Sequence, residues 1–415
     1  MAISIDNRDT RLNSIEIASI TFIFLFLLMP TFVFQGAELV TIEQPRIVEY
    51  DLWIAHINIF DVLFLILTLI LIKYTKPLSN QHVYYFSVII LTSLCLLLFG
   101  LVIQAVNGKA VTEFIDGLIY SFRIIIYFSF LYFLINDNNV NKIAYYIVLS
   151  CLALSCISIL GVVFGGYEGI FGGRINFLGM GVNITADFLL LCSFLIHLFF
   201  YQQAKLKWFL VLSVFFVMVI LTGSRRSLVL FFVIPVFLNF IKISNRDKIF
   251  FVVKVLIASV IFVSALYIFS KAFAEQLNLQ GLIRIVETIE NINDLQDGRS
   301  GMYNAALSVV QKYPFGVGLS DWAIQSKMSI FGTGSHTHNF LIQSYLKYGF
   351  AIVLFIFPLI ILAKQISLNL LLLPIWVVFF LNQMTGYGFW NQKFCMFFML
   401  LFVVTVKSKK MLDKL

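Results

Sequence analysis

Continuous apolar runs of roughly 15–25 residues recur about twelve times along this 415-residue chain, and that repetition leaves few folds open. In lipid a backbone amide finds no water. A spanning segment must therefore bond internally as an α-helix or close into a β-barrel. Barrel strands read as about ten residues of alternating character, which these runs are not. With 60% hydrophobic and only 12% charged residues, the chain also carries about half the charge share of a soluble domain. The fold class read from this pattern is all-α, a polytopic integral membrane protein. The first apolar run lacks a small-residue cleavage site and many more follow it, so it reads as a helix and not as a removable signal.

Spans are expected near 17–35, 57–72, 84–103, 114–135, 143–164, 184–200, 208–222, 227–241, 249–270, 340–362, 368–385 and 393–406. With the N-terminus inside, the cytoplasmic segments hold Lys73, Lys76, Lys142, Lys205, Lys207, Lys242, Arg246, Lys248, Lys364 and the basic tail from Lys407. The outer loops hold fewer basic residues, among them Arg46, Lys109, Arg174, Arg225 and Arg226. Both termini are therefore expected inside, and the positive-inside rule accounts for much of the net charge of +8. No nucleic-acid partner is expected. The seventh and eighth runs are short and turn at Gly223-Ser224, so a re-entrant hairpin is the alternative there. Cys95, Cys151, Cys156, Cys192 and Cys395 all fall inside apolar runs, which points to neither a disulfide framework nor a cysteine metal site.

Two outer loops stand out. Residues 165–183 are Gly-rich and include Arg174. Residues 272–337 form a loop far beyond ordinary connection length, and such loops are usually functional or disordered. Within it, Leu282, Ile285, Val286 and Ile289 repeat at helical spacing, as do Tyr303, Ala306, Leu307 and Val310 before Pro314. Two amphipathic helices are expected there, lying on the outer membrane surface or capping a cavity. The chain thus divides into helices 1–9 (residues 1–271), the large loop (272–337), and helices 10–12 with the tail (338–415).

The candidate chemistry collects at the outer face. Ser224 is placed to cap the helix that Arg225 and Arg226 open, where an anion would meet guanidinium and free backbone N–H groups. Both arginines could instead snorkel to lipid headgroups. Arg299 either pairs with a loop carboxylate such as Glu290, Asp297 or Asp321, or serves as a fork for a diphosphate. His338 precedes the tenth run at a helix N-terminus, which disfavours imidazolium and leaves a neutral ring able to accept a proton. Gly349 follows eleven residues later on almost the same face, three turns deeper, as a smooth track for a lipid or helix. His336 and His338 lack a third ligand and make no metal site. Pro314-Phe-Gly316-Val-Gly318 alone is a loop signal.

Together these pieces resemble the O-antigen ligase and polymerase superfamily, the WaaL-type ligases and Wzy-type polymerases. The matching features are Thr222-Gly-Ser-Arg225 opening a helix, Asp-Gly-Arg299 followed by Tyr303, Pro314-x-Gly316-x-Gly318, and His338-Asn339 with Gly349 after it. They cover roughly residues 222–352. Ile352 stands where ligases usually have Gly, Thr or Tyr, and Lys347 where many have Glu, departures that say little against a polymerase.

The resemblance implies a GT-C-like, inverting, metal-independent glycosyltransferase of the bacterial inner membrane. It would use undecaprenyl-diphosphate-linked oligosaccharide at the periplasmic face, with no cofactor. Arg225 and Arg299, with Arg226, would bind the diphosphate, and His338 would act on the acceptor hydroxyl. His336, Asn339, Arg284, Arg174 and Tyr303 are supporting candidates. Membrane lipid and a chain-length regulator protein are the further expected partners. The lead function is an O-antigen or capsule repeat-unit polymerase. Its rivals are a ligase to lipid A core or protein, and a lipid-linked oligosaccharide transporter, for which Asp116, Arg123 and Asp187 in or near spans are the relevant charges.

Overall fold

A computed structural model describes residues 7–28, 51–52, 57–75, 78–107, 111–136, 139–163, 170–171, 174–177, 182–200, 204–244, 246–277, 299–319, 321–332, 339–368 and 392–407, with short pieces at 283, 286–287, 290, 372–373, 376–377 and 379–380. These residues form α1 (Asn7–Leu28), α2 (Ile59–Tyr74), α3 (Asn80–Val106), α4 (Val111–Leu134), α5 (Val140–Val163), α6 (Val182–Phe199) and α7 (Lys205–Thr222). There follow α8 (Arg225–Lys242), α9 (Lys248–Leu277), α10 (Arg299–Lys312), α11 (Asp321–Ser329) and α12 (Phe340–Tyr348). A 3-10 segment at Gly349–Phe355 leads into α13 (Ile356–Leu368), and α14 (Gln392–Lys407) closes the series. Two antiparallel ladders of two-residue strands, β1 (Asp51–Leu52) with β2 (Ile57–Asn58) and β3 (Ile170–Phe171) with β4 (Arg174–Ile175), are the strands among the described residues. The protein is an all-α polytopic membrane fold, with six stretches long and apolar enough to cross a bilayer among the described residues.

The described parts of the expected spans fall on helices, save for Ile57–Asn58 in β2, while 29–35 and most of 368–385 lie outside the described residues. At 18 residues, α7 and α8 each rise about 27 Å, close to the hydrocarbon thickness, which suits spanning helices better than a re-entrant pair. The expected span at 340–362 falls within Phe340–Leu368, one of the stretches long and apolar enough to cross a bilayer, and its helix changes type at Gly349, where α12 stops and the 3-10 segment begins.

The chain divides into two compact units. The first comprises residues 1–143, 297–369 and 383–415, and the second comprises 144–296 and 370–382. In the first unit α2, α3 and α14 pack on α4. Lipid tails are as apolar as leucine, so side-chain packing and polar contacts must hold these helices together. Phe22, Phe26, Phe60, Phe64, Phe130 and Tyr127 supply the packing, with several ring centroids 4.8–5.3 Å apart. Such ring pairs contribute about 0.5–1.5 kcal/mol each beyond their burial. Inside the cluster, Arg123 Nε donates to Asp61 Oδ2 at 2.7 Å and Tyr127 donates its hydroxyl to Asp61 Oδ1 at 2.8 Å.

Polar contacts in this unit sort by helix end. At one end Lys407 donates to the carbonyls of Tyr132 and Ile135, where α4 leaves its last acceptors unbonded, and Asn136 donates to Glu16. At the other end Gln104 and Asn107, closing α3, meet residues 316–319.

The first amphipathic expectation, around Leu282–Ile289, lies largely outside the described residues. The second is met by α10, one face of which joins a core. Ala305, Ala306 and Val309 are buried with Val317, Ile324, Met328 and Leu346, drawing on α11 and α12, while Leu307 stays exposed. The helix α11 is not foreseen in the sequence reading.

In the second unit α7 and α8 pack on α6, whose residues from Thr185 to Ser193 are all buried. The helix α9 joins through Phe262, whose ring lies 4.3 Å from Phe232 and 5.7 Å from Phe216. Val260 and Ile261 remain 67% and 64% exposed, as lipid contact allows.

Candidate functional site

The turn between α7 and α8 carries the arginine pair. Gly223 ends α7 at φ +62, a left-handed conformation that glycine adopts without Cβ strain, and its amide donates to the Ile220 carbonyl at 2.9 Å. Ser224 then occupies the cap position of α8 in an extended conformation. Contrary to the expected cap, its side chain makes no capping bond. Its hydroxyl donates instead to Ser227 Oγ at 3.0 Å. Ser227 in turn donates to Asp187 Oδ1 at 3.0 Å. The first-turn amides of α8 are thus left without a side-chain cap from Ser224.

Asp187 is the centre of this network. It sits in α6 with its side chain 1% exposed, and Arg226 Nη2 donates to both of its oxygens at 2.8 and 2.9 Å. A carboxylate this far from water needs a paired cation and further hydrogen bonds, and Arg226 and Ser227 provide both. Arg226, a candidate diphosphate binder and the more natural of the pair to snorkel, is committed to the protein interior. Arg225 is different. It is half-buried and makes no hydrogen bond or ion pair with the described residues. Adjacent residues on a helix point about 100° apart, so one guanidinium of the pair meets Asp187 and the other meets no partner among the described residues.

The Gly-rich outer loop enters the same unit through β3 and β4. Arg174 pairs with Phe171 in the ladder, and β4 packs on α7. Only the backbone of Arg174 is described. The Phe177 amide donates to Thr185 Oγ1 at 3.0 Å, two residues before Asp187 on α6.

The first unit holds the other motifs. Arg299 is the first residue of α10, again at a helix N-terminus, with its backbone alone described. Tyr303, one turn on, is half-buried. Asn339 caps α12, its Oδ1 accepting from the amides of Leu341 at 3.0 Å and Ile342 at 3.1 Å. His338 immediately precedes that cap. His336, His338 and Arg284 lie outside the described residues.

Pro314-Phe-Gly316-Val-Gly318 and Gly349 turn out to be two sides of one contact. The amides of Val317 and Gly318 donate to the Leu346 carbonyl at 2.6 and 3.3 Å, and Tyr345 donates its hydroxyl to the Pro314 carbonyl. Gly349 has φ +54, and a Cβ there would collide with the Phe315 carbonyl. A Cβ on Gly316, at φ +94, would lie 2.9 Å from the Gly349 nitrogen. On the far side Asn107 Nδ2 donates to the carbonyls of Gly316 and Val317 at 3.3 and 3.0 Å, and the Leu319 amide donates to Gln104 Oε1 at 3.1 Å. The loop is therefore clamped between the end of α3 and the end of α12. The expectation of Gly349 as a smooth track three turns down a helix is corrected, because α12 ends there and the glycine admits another backbone segment.

In the sequence Asp187 is one of several charges in or near spans with no visible partner, and Gln104 and Asn107 belong to no motif. A signal existed for Asp187, since an acid inside an apolar span implies an internal cation. Nothing in the local pattern of Gln104 or Asn107 announces a partner more than two hundred residues away.

Residues 208–357 match the model of a protein family described as O-antigen ligase (Wzy_C). That range contains the arginine pair, α10, the clamped loop, the two histidines and Gly349. Among curated proteins, none matches the chain. The resemblance to the O-antigen ligase and polymerase superfamily, drawn from the motifs, is thus supported by a match over 208–357 to a family whose members are glycosyltransferase-like enzymes.

Proposed function

We propose that this protein is a polysaccharide polymerase of the bacterial inner membrane. It transfers the growing glycan from undecaprenyl diphosphate to a new lipid-linked repeat unit at the periplasmic face. One observation carries the reading. Within the family-matched range, Arg226 is consumed by Asp187 while Arg225 stands half-exposed at an uncapped helix N-terminus, ready for an anion.

In the proposed reaction an acceptor hydroxyl oxygen bonds to the anomeric carbon from the face opposite the diphosphate. The bond from that carbon to the diphosphate oxygen breaks, undecaprenyl diphosphate departs with the electron pair, and His338 takes the hydroxyl proton. Inversion follows from the in-line geometry. Charge growing on the leaving oxygens is what Arg225 and Arg299 would stabilise, and a fixed guanidinium does so without reorganising at the moment of reaction. His338 supplies the positioned base.

Sidedness supports the same picture. Lys407, Tyr132, Asn136 and Glu16 meet at one end of the first unit, and Gln104, Asn107 and residues 316–319 at the other. That sorting agrees with the alternation read from the basic residues, which puts the Lys407 end in the cytoplasm. Of the charges that a transporter would expose at the midplane, Arg123 is paired with Asp61 and Asp187 with Arg226.

The test uses purified full-length protein in lipid nanodiscs with undecaprenyl-diphosphate-linked repeat units, read as a ladder of products. Arg225→Ala is expected to slow chain growth by about a hundredfold or more. Growth at the normal rate would remove Arg225 from the mechanism. A ligase is the second reading, favoured by the description of the matched family. A deletion strain separates them: single repeats on the lipid acceptor mean a lost polymerase, and long unligated polymer on undecaprenyl diphosphate means a lost ligase.

A further inference from the structure

We propose that Asp187 is a positioning residue for the diphosphate site: by holding Arg226 and Ser227 it sets the first turn of α8 so that Arg225 alone is left to meet the ligand. The inference rests on the reading of Arg225 as a diphosphate binder and extends it to α6, which carries none of the family-like motifs.

The physical case starts from two adjacent arginines in a membrane protein. Two unengaged guanidinium groups one residue apart repel each other and sample many rotamers, and a ligand would have to order both. Asp187 resolves this by neutralising one of them. Its two oxygens take Arg226 Nη2 at 2.8 and 2.9 Å, and Oδ1 also takes the Ser227 hydroxyl at 3.0 Å. Ser227 accepts from Ser224, so residues 224, 226 and 227 are all tied, directly or through one hydroxyl, to a single buried carboxylate. Arg225 lies inside that tied turn and makes no hydrogen bond or ion pair with the described residues. Its backbone is fixed while its side chain stays available.

The same network draws the Ser224 hydroxyl away from the cap position. The first-turn amides of α8, at the positive end of an 18-residue helix, are left for the ligand. The site in this unit therefore presents one guanidinium on a turn fastened by hydrogen bonds, and not the doubly charged patch that Arg225-Arg226 suggests in the sequence.

The experiment measures binding of undecaprenyl diphosphate, without sugar, to full-length protein in nanodiscs, with thermal unfolding recorded for each variant. Wild type should bind, and Arg225→Ala should weaken binding. Asp187→Asn keeps the side-chain size and removes the charge. It should weaken binding about 10- to 100-fold, the scale on which a misplaced group costs activity. The decisive readout is non-additivity. In an Arg225→Ala background, Asp187→Asn should change affinity little further, because the group it positions is gone. Equal losses in both backgrounds would make Asp187 a fold residue only and overturn the inference, as would wild-type affinity in folded Asp187→Asn. If Asp187→Asn does not fold, Ser227→Ala removes one hydroxyl donor and keeps the ion pair. It should weaken binding about threefold, again only when Arg225 is present. If wild type binds no diphosphate lipid and transfers no glycan, the functional reading itself falls. If wild type binds and Arg225→Ala does not, but Asp187→Asn binds as wild type, the positioning role alone falls.

Discussion

Two buried aspartate–arginine pairs sit in the two units of this protein, and they differ in a way that chemistry alone does not announce. Asp61 and Arg123 are sealed, at 5% and 3% side-chain exposure, inside a sleeve of phenylalanines, with Tyr127 as a second donor. Asp187 is just as buried, but Arg226 is 22% exposed and lies at the first turn of a helix beside Arg225, which pairs with none of the described residues. The first pair ends in the core. The second reaches from the core to the edge of a helix end. A charge pair thus acts as a fastening where it is enclosed, and as a support for a neighbouring group where it borders an open helix terminus.

Breaking the sealed pair should give the largest effect. Asp61→Ala takes the paired carboxylate from Arg123 in its buried setting among aromatic rings, with an expected loss of about 3–5 kcal/mol in unfolding free energy. Adding Arg123→Met to it should restore most of that loss, since an apolar replacement of both partners removes the stranded charge. Denaturant unfolding in mixed micelles measures both, and an Asp61→Ala protein as stable as wild type would erase the contrast drawn here. Arg225→Ala comes next, with its hundredfold rate loss equivalent to about 2.7 kcal/mol of barrier, and with little change in stability because the side chain is half-exposed and engages none of the described residues. Tyr127→Phe removes a hydrogen bond to a charged acceptor while keeping the ring. It should cost about 1.5–3 kcal/mol of stability and leave glycan transfer by the folded protein unchanged.

The smallest effect belongs to a third pair at the exposed end of the scale. Lys271 and Glu290 are 62% and 43% exposed, and the Glu290 carboxylate is held below its ordinary range, first by the Tyr267 hydroxyl and then by Lys271. A lowered folded-state value means the interaction is fully present above the unfolded carboxylate value and is lost as pH falls through the folded one. Proteolytic protection of the segment around Glu290 should therefore fall on acidification in wild type, and should be flat across the same range in Glu290→Gln.

Much of the architecture could be read from the chain. The apolar runs find their helices, and Thr222-Gly-Ser-Arg225 is a helix–turn–helix junction as its residues suggest. Tyr303 and Ala306 do belong to an amphipathic helix. What escaped is what depends on a distant partner. The α10 stripe needs α11 and Leu346 before it becomes part of a core. Gly349 reads as a smooth point on a long helix until Phe315 arrives opposite it. Arg226 reads as a ligand binder or a snorkelling cation until Asp187, 39 residues earlier, closes on it.

The sequence by itself determined the class of this protein and where its helices run, because a backbone in lipid must satisfy its hydrogen bonds within each segment and so depends on local composition. Which polar side chains remain free for a ligand was decided only by the tertiary structure. Arg225 and Arg226 are chemically identical neighbours, and the difference between them comes from a carboxylate on another helix. Ion pairing falls off over a few ångströms, so only the packed arrangement says which of the two is already taken.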